Sequence, residues 1–125
     1  FHTIGADKTI DRIIDVFPPD QQQQVRIQLA AVLECVVSQQ LLKRSDGNGR
    51  VAALEVLFAN NAVRNLIREG KTFQIASIIQ TSKRLGMQMM DDALYDLYMQ
   101  RMIDGEMAVS YAQDPVGMNK KINFM

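Results

Sequence analysis

Little in this sequence of 125 residues offers chemistry of its own. Cysteine occurs once, at Cys35, which excludes an internal disulfide, and the apolar residues around it place it on a packed helix face, where a free thiol behaves as a small hydrophobe. Histidine also occurs once, as His2, so no cysteine and histidine cluster can hold zinc and no histidine-based triad can form. A Gly-x-Ser-x-Gly elbow is absent. Charge of one sign is missing too: Lys plus Arg and Asp plus Glu each total 14, which leaves no net field to gather nucleic acid or an acidic membrane surface. No apolar run approaches the roughly 18 to 20 residues that span a bilayer, and no signal peptide pattern is present. The expectation is a soluble protein of a reducing cytoplasm. Glycine and proline are too few for a disordered or fibrous chain. The chain opens on Phe1-His2-Thr3, which reads like the tail of a strand and suggests a truncated product.

What is present is helical periodicity interrupted once. Ile10, Ile13, Ile14 and Phe17 lay an apolar stripe along a helix from Ala6 to Val16, which Pro18-Pro19 ends. Proline suits the first turn of the next helix, and Asp20 places a carboxylate near its positive end. Val25, Leu29, Val32, Leu33, Val36 and Val37 extend that helix to Ser38. Ser45-Asp46-Gly47-Asn48-Gly49, between Leu41-Leu42-Lys43-Arg44 and Arg50 to Phe58, predicts a β-hairpin. Asn60-Asn61 caps a helix that stops near Gly70, and Thr72 caps another, with Phe73, Ile75, Ala76 and Ile79 facing inward as far as Thr81. Met90, Leu94, Leu97 and Tyr98 mark a further helix with Asp91 and Asp92 in its first turn, and Asp104 caps a short one over Glu106 to Ala112. The sequence leaves the order of residues 114–125 open.

Gly70-Lys71-Thr72 looks like the end of a phosphate-binding loop, but Asn65 stands where that motif needs its first glycine, and a helix rather than a strand precedes it. The adjacent carboxylates Asp91 and Asp92 point about 100° apart on a helix and form no acid/base pair. The informative run is Ala62-Val63-Arg64-Asn65-Leu66-Ile67-Arg68-Glu69, where Arg64 and Arg68 share one helical ridge beside an apolar stripe. Such a ridge either grips carboxylates or phosphates of a neighbour or is simply the solvated side of an amphipathic helix.

The order of these segments resembles the PilT-like type IV pilus retraction ATPases almost throughout residues 2 to 105. The residues that carry the resemblance are His2-Thr3, the Lys8 to Pro18 run, Ser38-Gln39-Gln40-Leu41-Leu42, Gly49-Arg50-Val51-Ala52-Ala53 and Ala62 to Glu69, continued by Gln80-Thr81, Leu85-Gly86-Met87-Gln88 and Asp91. Ala62 to Glu69 looks like the family's signature octet, with Val63 for the usual isoleucine, whereas Ile4-Gly5 departs from the small polar residues that usually follow the histidine.

The resemblance implies a mainly α chain with one antiparallel β-hairpin, forming the C-terminal portion of an α/β RecA-like P-loop ATPase domain. Residues 1–113 would hold that portion with a helical bundle, and residues 114–125 a tail. It implies a hexameric ring, an inner-membrane pilus platform protein as partner, and a location at the inner face of the cytoplasmic membrane reached only through partners. ATP and Mg would serve the full-length protein, and no catalytic residue, tight cofactor site or metal site is expected in this chain. His2 and Thr3 would be the nucleotide-sensing His box, and Ala62, Val63, Arg64, Asn65, Leu66, Ile67, Arg68 and Glu69 would transmit motion to subunit contacts. Related assembly ATPases usually carry a four-cysteine zinc module here, which one cysteine cannot supply. The competing readings are a related secretion or assembly ATPase, and a stand-alone helical interaction module working through Arg64 and Arg68.

Overall fold

The computed structural model describes residues 5–123. Among these residues seven α-helices and one two-stranded antiparallel sheet follow in the order α1 (Ala6–Asp15), α2 (Pro19–Val32), β1 (Cys35–Lys43), β2 (Arg50–Phe58), α3 (Asn61–Arg68), α4 (Ile75–Thr81), α5 (Met90–Met99), α6 (Gly105–Tyr111) and α7 (Pro115–Asn123). The fold class is the one expected: mainly helical, with one hairpin.

Four expectations need correction. The second helix ends at Val32 rather than Ser38, because Cys35 to Lys43 pair residue for residue with Phe58 to Arg50. Val36 and Val37 fit a helical stripe by spacing, but their β-branched side chains fit a strand better once a partner strand is available. Cys35 is therefore exposed at a strand end rather than packed on a helix. Phe73 is 72% exposed rather than inward, because Thr72–Gln74 form a 3-10 turn that shifts the phase of the following helix. Thr72 accordingly caps nothing; it is buried, and its hydroxyl donates to Asp11 Oδ1 of α1 at 2.6 Å. Residues 115–123, left open by the sequence, form α7, whose Met118 is buried.

Buried side chains gather into two clusters. The first joins Ile10 and Ile14 of α1, Leu57 of β2, Val63 and Ile67 of α3, and Ile75 and Ile79 of α4. The second joins Leu42 and Ala53 of the sheet to Met90 and Leu94 of α5, Ala108 of α6 and Met118 of α7. The inner face of β2 thus feeds both clusters, Ala53 one and Leu57 the other, with Glu55 between them at 2% exposure. Burial of each large aliphatic chain contributes about 1.5–3 kcal/mol against the entropy of folding.

The opposite face of the sheet carries exposed Val37, Leu41 and Phe58, and β1 has no second partner strand among the described residues. An apolar strand with an open edge is a template for pairing with another chain. The isolated 125-residue chain should therefore self-associate, and Leu41→Lys should lower its sedimentation-average mass while changing unfolding stability by less than about 0.5 kcal/mol, because the side chain is on the outer face.

At the hairpin turn, Asp46 accepts from the Arg44 guanidinium (3.3 and 3.0 Å) and from the amide of Asn48 (2.8 Å), while Gly47 and Gly49 supply positive φ. The Arg44 hydrogen bond, with help from the Asn48 amide, holds the Asp46 carboxyl below its ordinary range. A depressed carboxyl contributes stability above its unfolded value and loses it as pH falls through the folded one. Carboxyl NMR titration should place Asp46 below a peptide aspartate, and Arg44→Gln should move it up.

Candidate functional site

The octet covers α3 from its second residue, Ala62, and the residue after it, Glu69. Asn60 starts the helix by accepting from the Val63 amide at 2.9 Å, and Val63 and Ile67 are buried in the first cluster with Leu66 packed beside them. Ala62, Asn65, Arg68 and Glu69 lie outside. The helix stops at a Schellman motif: Gly70 has φ +71°, its amide donates to Ile67 O at 3.2 Å, and the Lys71 amide donates to Leu66 O at 2.8 Å.

The two arginines do not act as a pair. Arg64 is half-buried and its Nη1 donates to the carbonyl of Ala30 at 2.5 Å, in the last turn of α2, where carbonyls have no helical partner. Arg68 instead bonds Asn65 Oδ1 within its own helix. In return, Gln23 Nε2 of α2 donates to Arg68 O at 3.3 Å, near the end of α3. Each helix thus satisfies a terminal carbonyl of the other, and α2 and α3 are tied at both ends. Arg26 of α2 lies against Gly70, where an added Cβ would come 3.5 Å from its Nε.

Gly70-Lys71-Thr72 has no phosphate cradle. Gly70 and Lys71 are committed to the helix stop, Lys71 Nζ lies 3.5 Å from Glu69, and the Thr72 hydroxyl is engaged by Asp11. These three residues therefore do not fit a bound phosphate. A cleft of about 420 Å³ lies beside α5, lined in part by Gly86, Gln88 and Tyr95. Its charges compensate one another: Asp92 stands 3.5 Å from Lys83 and 3.8 Å from Lys121, and Lys121 Nζ lies 4.1 Å over the Tyr95 ring. His2 and Thr3 lie outside the described residues.

Sequence reasoning missed two residues. Glu55 reads as one charge in an apolar run, yet the period-2 alternation of Ala53, Glu55 and Leu57 already turned it inward. Asp91, placed by the sequence in the first turn of α5 and among the residues of the resemblance, was missed as a tie: it accepts from the amides of Gln113 and Asp114 at 2.7 and 3.0 Å and holds the α6–α7 connection down.

No model of a known protein family matches the sequence. A "Twitching motility protein" of Neisseria gonorrhoeae is 52% identical over 118 residues, 94% of this chain and 32% of that protein. The type IV pilus retraction ATPase PilT of Pseudomonas aeruginosa is 46% identical over 114 residues, 91% of this chain and 33% of its own length. By sequence this chain is a relative of the PilT-like retraction ATPases. A crystal structure of the pilus retraction motor PilT with bound ADP superposes with a TM-score of 0.82 at 44% identity, covering all of this chain and 33% of that one. The chain therefore spans about a third of the length of these PilT-like relatives.

If Arg64 joins α3 to α2, its loss should weaken the fold while loss of Arg68 should not. Arg64→Ala leaves the Ala30 carbonyl without its charged donor and should cost about 1–3 kcal/mol in urea unfolding, whereas Arg68→Ala should stay within about 0.5 kcal/mol. Equal effects would show that the Ala30 contact has no special weight.

Proposed function

We propose that this chain is the C-terminal part of the RecA-like motor domain of an ATP-hydrolysing motor that powers type IV pilus retraction and twitching motility. The observation that carries this reading is the relation to PilT-like ATPases over nine-tenths or more of the chain. Bound ADP in the solved PilT supports nucleotide binding by the whole protein. In this reading the phosphate-binding loop, the Mg ligands and the catalytic base lie in the two-thirds of the relatives' length that this chain does not span, and this chain carries movement rather than bond chemistry.

The working assembly is a hexameric ring at the inner face of the cytoplasmic membrane, held there by the pilus platform protein. His2 and Thr3 report the state of the nucleotide. The octet passes the resulting displacement to a subunit contact, and the mutual capping of α2 and α3 supports its moving with α2 as one body. The interaction-module reading loses its main feature, since Arg64 is already engaged within the chain.

The purified 125-residue chain should show no ATP turnover, and the full-length protein should show turnover and restore twitching to a retraction-deficient strain. Turnover by the short chain, free of contaminating ATPase, would sink the division of labour. Leu66→Ala or Arg64→Ala in the full-length protein should impair twitching; unchanged twitching and turnover would make the octet a structural helix only.

A further inference from the structure

The mechanism above makes no use of the most buried ionisable group of β2. Glu55 is 2% exposed, and both of its carboxyl oxygens accept from backbone amides that begin helices. Oε2 accepts from the amide of Ala6, the first residue of α1, at 2.5 Å. Oε1 accepts from the amide of Met90, the first residue of α5, at 3.1 Å. Opening amides have no partner within their own helix, and the helix dipole adds partial positive charge there. One side chain therefore holds the starts of two helices that belong to different hydrophobic clusters, α1 to the first and α5 to the second.

The surroundings are built to hold that geometry. Gly5 precedes α1 at φ +103°, a backbone conformation that strains any residue with a Cβ, and so lets the chain turn into α1 beside the carboxyl group. On the other side Gln88 clasps β2 around Glu55. Its backbone exchanges hydrogen bonds with Val56 at 2.8 and 3.0 Å, and its Nε2 donates to Leu54 O at 2.6 Å, which delivers Met90 two residues later. From α5, Asp91 continues the chain of contacts to the amides of Gln113 and Asp114, just before α7.

We infer that Glu55 is a positioning residue of the motor, the joint through which displacement of α1 reaches α5 and, through Asp91, α6 and α7. This rests on the motor reading given above. His2 lies four residues before Ala6 in sequence, so whatever moves the segment carrying the proposed nucleotide sensor pulls on the start of α1. A rigid two-ended acceptor carries that pull across the boundary between the clusters, where apolar contacts alone would let the two slide.

The experiment uses the full-length protein and compares Glu55→Gln with wild type by amide hydrogen exchange in ADP and in a non-hydrolysable ATP analogue. Glutamine keeps the shape but must present its NH2 to one of the two amides, so it breaks one end of the joint. Wild type should show nucleotide-dependent exchange in both α1 and α5–α7. Glu55→Gln should keep the difference in α1 and lose it in α5–α7, with a lower kcat and an unchanged KM for ATP. A nucleotide-dependent difference that persists in α5–α7 would overturn the role of Glu55, as would a nucleotide-independent rise in exchange at both helices, which is what a merely structural residue gives. Should Glu55→Gln fail to fold, Glu55→Asp, too short to reach both amides, is read by the same criteria. Absence of ATP turnover in the wild-type full-length protein would overturn the motor reading and this proposal together, whereas turnover with an unchanged exchange pattern in the variant overturns this proposal alone.

Discussion

A carboxyl group buried between two hydrophobic clusters constrains nearly everything around it. Glu55 sits on the inner face of β2 where Ala53 faces one cluster and Leu57 the other, and an apolar residue there would leave the opening amides of α1 and α5 without acceptors. Each unsatisfied buried amide costs about 1–3 kcal/mol, so the loss of both ends is comparable to a large part of a small domain's net stability. Holding Glu55 in register also requires the hairpin: Ser38 pairs opposite it, and a slip of one residue would turn the carboxyl group to the outer face. The turn built by Asp46, Gly47 and Gly49 therefore helps set where α1 and α5 begin.

The second constraint is the pairing of α2 with α3. α2 is only weakly amphipathic and fully buries a single residue, Ala30, so packing alone is a thin hold on it. Arg64 and Gln23 supply what packing does not, by satisfying carbonyls near the C-terminal ends that the helices cannot satisfy themselves. The same arginine looked, by spacing, like half of an anion grip. Helical spacing shows which side chains share a face but not whether a neighbouring helix ends opposite that face.

That difference marks where the sequence was legible. Helices with local signals were readable: Pro18-Pro19 between α1 and α2, Asn60 before α3, Asp104 before α6, and the glycine-rich turn of the hairpin all act within a few residues of themselves. The octet was recognised as a helix for the same reason. Features that depend on distant partners were not readable. The conversion of Cys35–Ser38 from helix to strand needs Glu55–Phe58 opposite, and the shift of Phe73 to the surface follows from a 3-10 turn whose Thr72 is drawn to Asp11, 61 residues away in the chain. Glu55 lay between these cases. Its inward orientation followed from alternation, but its two acceptors' partners lie 49 and 35 residues away.

The buried and half-buried polar side chains of this chain mostly serve to join its own elements to one another. Among the described residues no buried side-chain nitrogen or oxygen lacks a partner, and the charges of the cleft beside α5 neutralise one another. Arg64, Glu55, Thr72 and Asp91 all point at backbone or side chains elsewhere in the same chain. Polar contacts of that kind have strict geometry, and unlike apolar surfaces they do not slide by small increments. These contacts join α1 to β2, β2 to α5, α5 to the α6–α7 connection and α2 to α3, and so fix the relative positions of elements from both hydrophobic clusters.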